Sequence, residues 1–175
     1  EQFERDPRVK VDQRRVRPRR SAGLHAHRTD EALAFQINTV TIPIDGLLST
    51  GDPCQMAVQV PSSFTLLLMK LHAFRDRCAD STKDLARHHA LDLYRIIAMM
   101  DEAEFSSTIQ MISELRARPV LAAAARVVAQ DFATPDSLGS LRLRSHALWR
   151  DEMALQEFLS ALRELFLSHG DRHPT

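Results

Sequence analysis

One lysine within an apolar helical pattern constrains the fold of this chain more than any other residue. Lys70 lies inside the run FTLLLMKLHAF, whose apolar side chains recur with helical spacing. An unpaired ammonium buried among apolar side chains is destabilising or loses its proton, so Lys70 needs a carboxylate partner. If two antiparallel helices join at a turn near Ser81, Asp92 stands as far after the turn as Lys70 stands before it. The same spacing sets Phe74 opposite His88.

The composition predicts a mostly helical globular chain. Its 175 residues suit one domain, or a compact domain with an extra element. The apolar fraction of 44% is ordinary for a globular protein and too high for a disordered one. Leu and Ala fill most apolar positions and only 5 residues are Gly, which favours helix over sheet.

The formal charge is zero overall, but the first 30 residues carry an excess of four positive charges. Such a basic segment can contact phosphates, or it can be a solvated and weakly ordered terminus. No apolar run approaches the length of a membrane span, so we expect no membrane partner. Cys54 and Cys78 have no metal-binding spacing, which favours a reducing, cytoplasmic location. Because the chain starts at Glu1 without an apolar leader, we expect a processed protein or a fragment with no secretory signal.

The apolar pattern changes from alternation to helical spacing at Pro61. We therefore predict an α+β fold, in which a small mixed or antiparallel sheet precedes a bundle of about five helices. Three regions follow: a basic lead-in at 1–32, a core at 33–100 and a helical region at 101–175. The predicted strands are 33–44, with a bulge or turn near 38–39, and 54–60. The predicted helices are 63–78, 82–100, 102–117, 119–132 and 140–169, the last being either one helix or two broken near 150–151.

Charged residues repeat on the faces of the first two predicted helices. Asp84, His88 and Asp92 recur every four residues and would form one stripe, opposite Lys70 and Arg77. Cations beside carboxylates suit a triphosphate and its metal ion, because the cations contact phosphate oxygens and the carboxylates hold the metal or orient the lysine. Two simpler interpretations stay open: Lys70 and Asp92 only fix the helix register, or the stripe itself holds a metal with three ligands.

The order of these motifs resembles the C-terminal half of nucleotidyltransferase-like proteins of the abortive-infection AbiEii type. These are toxin-like relatives of the polymerase-β nucleotidyltransferase superfamily. The resemblance covers about residues 33–100. A strand followed by the PSS turn begins the shared pattern. The positions that match it after the turn are, in chain order, Lys70 and Ala73, Asp76–Arg77, Lys83–Asp84, and Asp92 followed by Leu93–Tyr94.

This resemblance implies that the complete protein transfers a nucleotidyl group from a nucleoside triphosphate to an acceptor, with Mg²⁺ as cofactor. Lys70 would contact phosphates, and Asp92 would hold Lys70 or assist the acceptor. The pocket rim would be formed by Arg77, Lys83, Asp84 and His88. RNA or a protein is the implied acceptor, and a cognate antitoxin is a further implied partner.

One part of the family pattern is missing from this sequence. The family carries a Gly-Ser or Gly-Gly motif followed by two spaced carboxylates that bind the catalytic metals, and no such motif occurs here. Either that half lies before Glu1, or the protein is a degenerate homologue without metal chemistry. We therefore expect this chain alone to be inactive. The alternative function is a non-catalytic helical module for interaction or substrate recognition, similar to an antitoxin.

Overall fold

The computed structural model describes residues 39–151 and 153–168, and it has the α+β class predicted from the sequence. The predicted basic lead-in, the beginning of the first predicted strand and the end of the last helix lie outside these residues. A two-stranded antiparallel sheet comes first, and six α-helices and one short 3-10 segment follow. The strands are β1 (Thr39–Leu47) and β2 (Pro53–Pro61), and the helices are α1 (Ser63–Arg77), the 3-10 segment (Ser81–Ala86), α2 (Arg87–Met99), α3 (Glu102–Glu114), α4 (Pro119–Asp131), α5 (Leu138–Arg144) and α6 (Leu155–Leu167). None of these helices combines the length and the apolar content needed to cross a membrane.

Local capping signals set where several helices begin. The Ser62 hydroxyl accepts the Thr65 amide proton at 3.3 Å and caps α1 directly after Pro61 ends β2. Asp101 caps α3 in the same way through the Glu104 amide. Pro119 occupies the first position of α4, where its missing amide proton has no structural cost.

The core lies between the helices, and leucine and phenylalanine are its most common large side chains. Phe132 lies at its centre, with its ring 5.0 Å from Phe74 and 6.0 Å from Phe158. Gly139 lets α5 approach this ring closely, since a Cβ atom there would stand 2.5 Å from it. Buried His72 joins α1 to α4 through a hydrogen bond between Nε2 and the Val120 carbonyl.

The second predicted helix begins five residues later than expected, at Arg87. Residues 84–86 have left-handed backbone angles, with φ of 56° at Asp84, 51° at Leu85 and 61° at Ala86. L-residues rarely adopt these angles, and a helix cannot continue through them. The prediction that Asp84 shares one helical stripe with His88 and Asp92 is therefore wrong. The last predicted helix divides into α5 and α6, as one of its two alternatives expected.

The two strands form a hairpin with one apolar and one polar face. Paired residues share a face, and one face carries only apolar side chains: Val40, Ile42, Ile44, Met56, Val58 and Val60. On the other face Gln59 accepts a hydrogen bond from the Thr39 hydroxyl and donates one to the Thr41 hydroxyl. No side chain of either strand is fully buried by the described residues. Val58 and Val60 are half-buried, but the rest of the apolar face is exposed, which the alternating pattern alone does not indicate.

A matched pair of substitutions tests this division between core and hairpin. Leu93 is completely buried in α2, whereas Leu47 is 75% exposed at the end of β1. We expect Leu93→Ala to lower the free energy of unfolding by about 2–5 kcal/mol, because it leaves a cavity in the core. Leu47→Ala should change it by less than about 0.5 kcal/mol. Urea unfolding followed by circular dichroism measures both, and equal losses would contradict the arrangement described here.

Candidate functional site

Lys70 and Asp92 join α1 to α2, as the sequence predicts. The Lys70 ammonium donates to Asp92 Oδ2 at 2.6 Å. The two side chains are 30% and 34% exposed, so the pair lies at the edge of the core and remains open to solvent. The carboxylate fixes the position of the ammonium between the two helices.

His89 lies close enough to this pair to feel both of its charges, and it contacts Arg77 directly. The Arg77 Nη1 atom lies 2.9 Å from His89 Nε2. A guanidinium can only donate, so Nε2 accepts and the proton of the neutral ring lies on Nδ1. Nδ1 is buried and has no hydrogen-bond partner among the described residues. Burial, and next the charges of Arg77 and Lys70, lower the pKa of His89 to about 4.

These four residues are here called the Lys70 cluster: Lys70, Arg77, His89 and Asp92. At neutral pH it holds two cations, one carboxylate and one neutral imidazole, which gives one net positive charge. An ammonium and a guanidinium at a solvent-open edge can donate several charge-assisted hydrogen bonds to an anion such as phosphate. His89 was not singled out in the sequence, although its position three residues before Asp92 puts both on one side of α2.

A second polar group, here called the Asp84 cluster, consists of Asp84, Arg87, His88 and His146. The guanidinium of Arg87 contacts Oδ1 of Asp84 through both Nε and Nη2, and His88 Nδ1 lies 2.5 Å from Oδ2. Burial raises the pKa of Asp84, but the hydrogen bonds from Arg87 and His88 outweigh it and lower the pKa overall. The carboxylate is therefore ionised at neutral pH.

His146 reaches the Asp84 cluster from the connection that follows α5. Its ring meets the His88 ring edge-on, with 4.8 Å between centroids. Its Nδ1 accepts a hydrogen bond from the Leu148 amide at 3.0 Å. Burial and the neighbouring charge of His88 lower the pKa of His146. No spacing rule connects it to α2, so the sequence did not indicate this contact.

The predicted site residues therefore divide between two places. Lys70, Asp92 and Arg77 belong to the Lys70 cluster, whereas Asp84 and His88 belong to the Asp84 cluster. The predicted rim residue Lys83 is exposed on the 3-10 segment, and its role stays a prediction. The expectation that Phe74 faces His88 is wrong, since Phe74 packs in the core against Phe132 while His88 contacts Asp84 and His146.

Comparisons with protein-family models, with curated proteins and with solved structures find no match to this chain.

The protonation of His89 provides a direct test of the Lys70 cluster. We expect an NMR titration to give a pKa of about 4 for its imidazole. The folded state then holds fewer protons than the unfolded state between pH 6.5 and about 4, so the free energy of unfolding should fall as pH falls through this window.

Two variants complete the test. Arg77→Gln should raise the pKa of His89, because it removes a neighbouring positive charge. Arg75→Gln is the matched control on the same helix, since Arg75 pairs with Asp76 instead. A His89 pKa near 6.5 in the unchanged protein would contradict the burial and the contact described here.

Proposed function

We propose that this chain is the phosphate-binding C-terminal part of a nucleotidyltransferase-like protein. The observation that carries the proposal is the Lys70–Asp92 ion pair at a solvent-open edge between α1 and α2. A lysine that is paired with one carboxylate and is still about one third exposed can approach a phosphate without losing its partner. The order of the sequence motifs around this pair supports the same conclusion.

In this proposal the Lys70 cluster binds the phosphates of a nucleoside triphosphate. Lys70 supplies a point charge, and Arg77 supplies a planar fork that can donate two parallel hydrogen bonds. The neutral His89 ring adds bulk beside both cations without adding charge. Asp92 positions Lys70 and offers a carboxylate near the acceptor. The exposed Lys83 would extend the rim, and the proposed acceptor is RNA or a protein.

Transfer itself requires more than these residues. The resemblance implies two carboxylates that hold Mg²⁺, which prefers oxygen ligands. The group of possible metal ligands found among the described residues, Asp84 with His88 and His146, is rich in imidazole and does not fit that requirement. We therefore propose that this chain binds the triphosphate without transferring it. By the same resemblance, the complete protein would act in the cytoplasm and have a cognate antitoxin as partner.

Calorimetric titration with ATP tests the proposal. We expect saturable binding that weakens about 10-fold or more in Lys70→Gln and in Arg77→Gln, because a hydrogen bond to a charged group contributes about 1.5–3 kcal/mol. Arg75→Gln should bind as the unchanged chain does, since Arg75 pairs with Asp76 away from the cluster. Incubation with labelled triphosphates, Mg²⁺ or Mn²⁺ and RNA should yield no labelled product.

Circular dichroism must first show that each variant is folded. Absence of saturable ATP binding, or equal binding by Lys70→Gln and Arg75→Gln, would contradict the proposal. Strong labelling that Asp92→Ala abolishes would contradict the expectation that this chain is inactive alone.

The hairpin favours a second candidate function, a non-catalytic interaction module. Val40, Ile42, Ile44 and Met56 are each about half exposed on its apolar face, and exposed apolar faces of this kind mark interaction surfaces. Both strands also have an outer edge that the described residues leave unpaired.

Light scattering across a concentration series tests this second function. We expect the chain to self-associate with rising concentration, and the double variant Ile42→Thr/Ile44→Thr to associate less, because Thr keeps the strand preference and removes apolar surface. The double variant should bind ATP as the unchanged chain does. A monomer at all concentrations would contradict an interaction surface on the hairpin. Self-association without ATP binding would favour the interaction module over the nucleotidyltransferase-like protein.

A further inference from the structure

We propose that Asp84, His88 and His146 form a binding site for a divalent transition-metal ion of the zinc class. Each residue offers one ligand atom, and the three atoms all lie within 4.8 Å of one another. They come from two parts of the chain: Asp84 and His88 lie four residues apart where the 3-10 segment meets α2, and His146 lies in the connection after α5. The site shares no residue with the Lys70 cluster and does not depend on the proposed nucleotide binding.

The donor types select the metal. Two imidazoles and one carboxylate are ligands that suit Zn²⁺, Co²⁺ and Ni²⁺, whereas Mg²⁺ and Ca²⁺ prefer oxygen alone. Three protein ligands also leave a coordination position for water, which is the arrangement of an open site. One interpretation that the sequence leaves open is a metal stripe of Asp84, His88 and Asp92. In the structure Asp92 pairs with Lys70, and His146 takes the third place instead.

The carboxylate of Asp84 is already oriented for this role. Arg87 contacts its Oδ1, which leaves Oδ2 directed at His88 Nδ1, 2.5 Å away. A metal ion at Oδ2 would replace that hydrogen bond, and the His88 side chain is 70% exposed and has room to move outward. In metal sites, a carboxylate that ligates the metal through one oxygen is typically hydrogen-bonded to the protein through the other.

The backbone directs Asp84 toward this group. Three consecutive left-handed residues, Asp84 to Ala86, form the turn from which the carboxylate reaches His88. Such angles are unfavourable for residues with a Cβ and persist where the surrounding structure imposes them, commonly at functional sites.

Two features limit the affinity of the site. His146 Nδ1 accepts from the Leu148 amide, so binding through Nε2 moves the ring proton to Nδ1 and gives up this bond. The positive charges of Arg87 and Arg95 act on His146 and oppose an incoming cation. We therefore expect micromolar rather than nanomolar binding.

Metal titration of the whole chain, after removal of metals by a chelator, tests the proposal. We expect one Zn²⁺ or Co²⁺ per chain by calorimetry, with no competition from Mg²⁺. His146→Gln and Asp84→Asn should each weaken binding 10-fold or more. His89→Gln is the matched control, because His89 follows His88 on α2 and contacts Arg77 instead. A His25→Gln/His27→Gln variant excludes the histidines of the basic segment.

A spectroscopic readout separates a ligand from a merely structural residue. Zn²⁺ should shift the NMR signals of the His88 and His146 imidazoles and leave that of His72, which is buried and bonded to Val120. The proposal is overturned if no saturable binding occurs, if His89→Gln weakens binding as much as His146→Gln, or if the two imidazole signals do not respond. ATP binding by His146→Gln should equal that of the unchanged chain, so failure here is distinct from failure of the proposed function.

Discussion

The ion pair between an ammonium on α1 and a carboxylate on α2 is the contact on which the arrangement of the two helices depends. Lys70 and Asp92 meet where α1 and α2 leave the core, so the pair fixes the register of the two helices and stays accessible. Because both side chains are about one third exposed, solvent would screen the charge left by removal of either partner. The same contact thus serves packing and presents a positioned cation to solvent.

A short stretch of unusual backbone separates the two polar clusters. The left-handed turn at residues 84–86 takes Asp84 off the helical repeat, so that Arg87 and His88 become its partners. Asp92 forms its ion pair with Lys70 instead. With a continuous helix from Thr82, Asp84, His88 and Asp92 would instead lie in one row, about one turn apart.

The features that could be predicted depend on local rules or on one strong pairing constraint. The start of α1 follows from Pro61 and Ser62. The Lys70–Asp92 contact follows because both residues are equally far from the turn near Ser81. The unpredicted features depend on tertiary contacts between distant residues. His146 approaches His88 only because α5 packs on α2, and the left-handed turn has no glycine or asparagine to signal it.

The hairpin differs energetically from the rest of the chain, because none of its side chains is buried by the described residues. Its strands can separate and re-form without opening the helical core, so it behaves as a local unit with its own small opening free energy. A partner that covered Ile42 and Ile44 would add its binding energy to that unit alone. Amide exchange would then slow in the hairpin while the helices stayed unchanged, and this difference would report occupancy of the apolar face.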